Sequence, residues 1–183
     1  CIHNCPKILD SRIMVEILTA VGCKVVCDGN TIIVDSSVAN SYVVPEKQVK
    51  EMRSSIIFLG SMIGRFKKAI ITYPGGCELG PRPIDLHLKA LKQMGIVINE
   101  QNGFIICEAK EIVGTNINLD FPSVGATENI MLAAVLAKGR TIINNAAKEP
   151  EIVDLQNFLI AMGAKVYGAG TDKIFIDGVE KLH

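Results

Sequence analysis

The stretch Pro74-Gly-Gly-Cys77-Glu-Leu-Gly-Pro-Arg82-Pro83-Ile84-Asp85-Leu86-His87 sets a cysteine behind two glycines and an arginine five residues further on. A thiol held there acts as a nucleophile or proton donor when neighbouring charges set its pKa. Paired glycines reach backbone conformations closed to other residues and uncover nearby amides. Arg82 presents a planar cation that can grip an oxyanion through two hydrogen bonds. A plainer reading fits the same residues: a buried cysteine in a strand-to-helix turn, with Pro83 in the first helical turn. Arg82 and His87 would then be solvated side chains, and Asp85 would only complement the helix dipole. The residues alone leave both readings open.

Other positions invite the same question. Arg53 is a cation entering an otherwise apolar run, either snorkelling at an edge or aimed at a ligand. Phe121-Pro-Ser123-Val124-Gly125-Ala-Thr127 opens a second apolar run, where small residues can offer amides to a phosphate or Ser123 can simply cap a helix. Glu149, in Lys148-Glu-Pro-Glu-Ile152, stands at the start of a third helical pattern, where acidic residues belong on electrostatic grounds. No complete Walker loop, dinucleotide fingerprint or His-Glu metal motif occurs. Cys1, Cys5, Cys23 and Cys27 form two C-x3-C pairs, which is not the usual zinc spacing. Cys23 and Cys27 sit at even spacing in a strand and are expected to face one way, so reduced thiols are the expectation and a zinc-stabilised module the minor alternative.

The elements that must position these residues repeat. Helical patterns closed by Gly22, Gly95 and Gly163 are each followed by a strand, a polar turn and a second strand, at 31–34, 103–107 and 173–176. The closing glycines fall 73 and 68 residues apart, from 22 to 95 and from 95 to 163. Between them lie two runs apolar around most of their circumference, 49–66 and 125–138, expected to be helices buried in a layer of sheet. Strands at 69–73 and 141–145 follow them, and residues 1–4 hold the equivalent place before the first unit. The spacing therefore predicts about two and a half of three repeat units, one incomplete domain over 1–183.

With 183 residues and 49% hydrophobic content the chain can bury one substantial core. Nineteen basic and nineteen acidic residues cancel, which argues against a nucleic-acid surface while leaving room for a small anion. Apolar runs are too short to span a bilayer, and no secretory signal is visible, so a cytoplasmic protein is expected.

The motif order resembles the UDP-N-acetylglucosamine 1-carboxyvinyltransferases of the enolpyruvyl transferase family. The likeness runs through Asn4-x-Pro6, Met52-Arg-Ser-Ser55, the cysteine stretch, Ser123 to Asn129, Asn145 to Ile152 and Gly168 to Thr171. It implies an inside-out α/β barrel of helix–strand units around buried helices, with a second domain absent here. It implies enolpyruvyl transfer from phosphoenolpyruvate to the 3′-hydroxyl of UDP-N-acetylglucosamine, without a cofactor or metal. By the resemblance Cys77 is the mobile-loop cysteine alkylated by fosfomycin, and Arg53 and Arg82 contact the phosphoenolpyruvate phosphate. Arg82, Pro83, Ile84, Asp85 and Leu86 line the uridine and sugar site, Ser123, Val124 and Gly125 lie near the diphosphate, and Glu149 near the sugar. Phe121 departs from members with a lysine at that place. The general base and further arginines of the second domain have no counterpart, so the chain is expected to be inert alone. A non-catalytic binding or structural fragment is the alternative, and the shikimate-phosphate branch is disfavoured by the cysteine stretch.

Overall fold

The computed structural model describes residues 1–75 and 84–183. Cys77, Arg82 and Pro83 lie outside the described residues, so their expected roles are not addressed by the fold.

Three related units follow one another. The first has α1 (Leu9–Ala20), β1 (Lys24–Asp28) and β2 (Thr31–Asp35), with an antiparallel bridge from Ile2 to Ile32. The second opens with a short helix α2 (Glu46–Glu51), a 3-10 turn (Arg53–Ile57) and α3 (Phe58–Phe66). It continues through β3 (Lys68–Thr72), α4 (Asp85–Gln93), β4 (Val97–Gln101) and β5 (Phe104–Glu108). The third runs β6 (Asn116–Asn118), α5 (Val124–Ala134), β7 (Arg140–Asn144), α6 (Pro150–Ala161), β8 (Lys165–Tyr167) and β9 (Lys173–Asp177).

The three antiparallel hairpins correspond: β1 with β2, β4 with β5, and β8 with β9. The strand before each helix pairs antiparallel with the hairpin's second strand, as β3 does with β5 and β7 with β9. Ile2 makes the matching bridge, so the place assigned to residues 1–4 from spacing holds. Gly22, Gly95 and Gly163 all lie at positive φ (97°, 85° and 93°). A left-handed residue just past a helix turns the chain back on itself, and glycine adopts that conformation without a Cβ penalty. That shared requirement is why the repeat was visible.

The sheets contain two, three and four strands and stay open, so among the described residues no sheet closes into the expected barrel. What holds is the layering. The helices α3 and α5 are buried against each other, with α4 packed on α5. Hairpin strands such as β5 and β9 send alternate residues (Ile105 and Cys107, Ile174 and Ile176) into the core.

The expected continuous helix over 49–66 is broken. Met52 is extended (φ −128°, ψ 106°) and the chain restarts as the 3-10 turn. Ser55 Oγ donates to the Val49 carbonyl at 3.5 Å, and the Gly75 amide donates to the same oxygen at 3.2 Å. Serine hydroxyls compete in this way for backbone groups that would otherwise continue a helix. The second buried helix is also shorter than expected, ending at Ala134 rather than 138.

In α3, Gly60 and Gly64 lie one turn apart on the face against α5. A Cβ at Gly60 would stand 2.3 Å from the Asn129 carbonyl oxygen, and one at Gly64 would stand 3.0 Å from that of Leu132. At Gly60 the helix backbones therefore approach at a distance that only a hydrogen side chain allows, while at Gly64 a methyl would need a small shift.

Candidate functional site

Three chain segments start at the same place. The 3-10 turn begins at Arg53, α4 begins at Asp85, and α5 begins at Val124 with Ser123 as its cap. Each first turn leaves amide hydrogens without helical partners, so the region carries partial positive charge.

His87 sits at the middle. It is 7% exposed, which corrects the surface imidazole considered from sequence. The physical reason was available: Ile84, His87, Leu88 and Leu91 follow the i, i+3, i+4, i+7 spacing of one helical face, and all four are buried. The ring lies against the first turn of α5, where a Cβ at Gly125 would stand 3.0 Å from Cε1 and 3.5 Å from Nε2. Burial, with a smaller contribution from the Arg53 guanidinium, pushes the His87 pKa down to about 4. The ring is thus uncharged at neutral pH.

Asn129, fully buried on α5, joins the elements. Its Oδ1 accepts the Gly60 amide at 2.7 Å, while Nδ2 donates to the Ile56 carbonyl at 3.1 Å and reaches His87 Nδ1 at 2.7 Å. One side chain therefore ties the 3-10 turn and α3 to α4. Arg53 opens that 3-10 turn, three residues before Ile56. Sequence reasoning included Asn129 in a motif but gave it no role. An amide in the middle of a helix apolar on nearly every side was the signal, because a buried amide must find partners.

The remaining expected residues divide. Ser123 caps α5, its Oγ accepting the Ala126 amide at 3.4 Å, while Val124 and Gly125 hold the first positions of the helix, partly buried. Ile84 is 5% exposed and its side chain belongs to the core, so only its backbone could face a ligand. Leu86 packs partly buried on that core, and Asp85 is exposed at the start of α4. Asp85 lies near Tyr73, whose hydroxyl donates to Glu100 and whose pKa is raised chiefly by that bond. Glu149 is exposed, and its carboxylate accepts the neighbouring Lys148 amide at 2.8 Å. The loop leading to Glu149 is nevertheless held to the site. Thr127 Oγ1 donates to the Ser123 carbonyl at 2.8 Å and accepts the Ala147 amide at 3.2 Å. Phe121 is exposed.

Gly75 shows why glycine begins the cysteine stretch. A Cβ there would lie 1.7 Å from the Lys50 carbonyl oxygen, so the chain leaving β3 runs tight across the end of α2.

Among the described residues no three His, Cys, Asp or Glu side chains gather as metal ligands. Cys23 is buried just before β1 and Cys27 is exposed within it, so the two cysteines expected to share a face differ in access. Cys107 is buried and its thiol is pushed up to about 12 by desolvation. No helix among the described residues is long and apolar enough to cross a membrane.

Open sheets layered on buried helices in repeated units, with helix starts converging on an uncharged imidazole and an arginine, define an α/β protein with a centre suited to an anion. The family model for EPSP synthase (3-phosphoshikimate 1-carboxyvinyltransferase) matches residues 1–183, and the chain belongs to that family. It is 56% identical over 182 residues to UDP-N-acetylglucosamine 1-carboxyvinyltransferase 2 of Caldanaerobacter subterraneus subsp. tengcongensis, covering 100% of this chain and 44% of the relative. It is 52% identical over 181 residues to UDP-N-acetylglucosamine 1-carboxyvinyltransferase 1 of Carboxydothermus hydrogenoformans, covering 99% and 43%. The crystal structure of the enolpyruvyl transferase NikO from Streptomyces tendae matches its fold with a TM-score of 0.83 at 22% identity, over 97% of this chain and 42% of that one. The chain thus spans less than half the length of the curated relatives it matches.

Proposed function

We propose that this chain is the cysteine-bearing part of an enzyme that moves the enolpyruvyl group of phosphoenolpyruvate to the 3′-hydroxyl of UDP-N-acetylglucosamine, releasing phosphate for peptidoglycan synthesis in the cytoplasm. The observation that carries this reading is the 56% identity, along the whole chain, to a protein bearing that activity in its name.

In this reading Arg53 and Arg82 hold the phosphate of phosphoenolpyruvate, and Cys77 delivers a proton to the methylene carbon or assists product release. Fixed cations stabilise a leaving phosphate because they need no reorganisation as its charge grows. The segment from Arg82 to Leu86 lines the uridine and sugar, Ser123 to Gly125 meets the diphosphate, and Glu149 stands by the sugar. The geometry supports this through the first turn of α5, where Val124 and Gly125 offer amides beside an uncharged His87. The alcohol must lose its proton, and a general base must lie within hydrogen-bond reach to take it. That base belongs to the second domain of the parent enzyme. The first unit exposes Ile2, Ile8, Leu9 and Val26, which supports a parent enzyme that covers this face.

The test is phosphate release with both substrates, by this chain alone and by this chain fused in place of its counterpart in the Caldanaerobacter relative. The fusion is expected to release phosphate, Cys77→Ala to suppress that release, and the chain alone to be silent. Release with shikimate 3-phosphate instead of the nucleotide sugar would reassign the acceptor, and release by the chain alone would overturn the half-site reading.

A further inference from the structure

The hydrogen-bond arithmetic around Asn129 leaves one arrangement. Its Oδ1 faces the Gly60 amide at 2.7 Å, a group that can only donate. Its Nδ2 faces the Ile56 carbonyl at 3.1 Å, a group that can only accept. The amide therefore cannot be turned over without two like-with-like contacts in a fully buried place. The second Nδ2 hydrogen then points at His87 Nδ1, 2.7 Å away, and that nitrogen must offer its lone pair. The remaining nitrogen, Nε2, carries the proton. It makes no hydrogen bond to a described residue, and it lies on the ring edge packed against Gly125 in the first turn of α5. Arg53 is the charged group that acts on the ring from the elements packed against it.

We propose that Asn129 is a positioning residue, whose amide fixes His87 in the tautomer with its proton on Nε2 and so presents that N–H at the α5 N-terminus, beside Arg53, to an oxygen of the bound anionic substrate. For the identity of that substrate the inference rests on the proposed function; for the tautomer it does not. The arrangement has a chemical use. A neutral histidine free to choose its tautomer would meet a phosphate or sugar oxygen with a lone pair part of the time. One held by a buried amide always meets it with a donor. The amide also links that donor to the 3-10 turn through the Ile56 carbonyl.

The chain has three histidines, His3, His87 and His183, so ring nitrogen-15 spectra of the whole chain are readily assigned by comparison with His87→Gln. For His87 we expect a pyrrole-type Nε2 and a pyridine-type Nδ1 at pH 7 without ligand. The opposite tautomer, or a charged ring, overturns the proposal. Asn129→Ala should yield mixed tautomers, and an unchanged ring in the folded variant would show that Asn129 is not what holds it. If that variant fails to fold, judged by circular dichroism, the wild-type spectrum still decides. UDP-N-acetylglucosamine is then titrated into the wild type with calorimetry alongside. A moved Nε2 resonance on saturation is expected, and binding that leaves it unmoved overturns the donor role. Absence of any heat of binding counts against the proposed function for this chain, while the tautomer spectrum continues to decide the clamp.

Discussion

Replacing Gly60 by alanine tests the crossing on which the site's geometry depends. On its own helix the change is favourable, since alanine exceeds glycine by about 1 kcal/mol in a helix interior. Against that, the new methyl would lie 2.3 Å from the Asn129 carbonyl oxygen and 2.9 Å from its Oδ1, so α3 and α5 must part. Forcing a methyl into a packed core costs about 1–3 kcal/mol. Stretching the Gly60 amide away from Asn129 Oδ1 leaves buried polar atoms short of a partner, about 1–3 kcal/mol more. The net expectation is a loss of about 3 kcal/mol, within a range of about 1–5. Gly64→Ala supplies the control in the same helix: the nearest atom would be the Leu132 carbonyl oxygen at 3.0 Å, and no side-chain hydrogen bond is disturbed. There the propensity gain and a small shift nearly cancel, for a net change of about 0–1 kcal/mol. With a urea slope of about 2 kcal/mol/M, the Gly60→Ala midpoint should fall by about 1.5 M and the Gly64→Ala midpoint by less than about 0.5 M. Equal shifts, or a gain in stability at Gly60, would refute the crossing as described.

Other expectations follow from individual groups. The folded-state pKa of His87, about 4 against an ordinary 6.5, means that the unfolded chain binds the extra proton first. Stability is therefore lost as pH falls below about 6.5, by about 2 kcal/mol between pH 7 and 5; His87→Gln should flatten that part of the urea-midpoint profile, and an unchanged profile would contradict the burial. Maleimide labelling of the native chain at neutral pH, read by peptide mass spectrometry, should reach Cys1 and Cys27 well before Cys23 and Cys107, because burial both hides the latter two and raises their thiol pKa. Equal labelling of Cys107 would show that β5 is not covered. Ser123→Ala should cost about 1 kcal/mol of stability through loss of the α5 cap, with Ser123→Gly much milder; equal losses would point to packing rather than capping.

The repeat was legible because its causes are local. Gly22, Gly95 and Gly163 must adopt a left-handed conformation to end their helices, and a residue-type requirement leaves a mark in the sequence. The hairpin β4–β5 shows the same thing, since Asn102 and Gly103 are both at positive φ and Asn-Gly is the pair such a two-residue turn demands. The break at Met52 was not legible. It depends on Gly75 arriving from beyond β3 to share the Val49 carbonyl, and no pattern within 49–66 carries that partner. Nor does spacing decide whether three separate sheets close on each other, because that turns on how the units pack.

The site divides along the same line. Ser123 and Asp85 were readable as residues at helix starts because capping and dipole effects act over a few residues. What makes those starts a site is their meeting, and that is set by Asn129 across separations of 69, 73 and 42 residues, to Gly60, Ile56 and His87. A single buried amide with every hydrogen bond satisfied specifies one relative placement of three elements, whereas an apolar residue there would accept several. The glycines of α3 belong to the same device, because the Asn129 side chain reaches the Gly60 amide only if the two backbones come close enough to exclude a methyl. Gly60 and Asn129 thus act as one feature, and changing either should shift His87 relative to the 3-10 turn and α3.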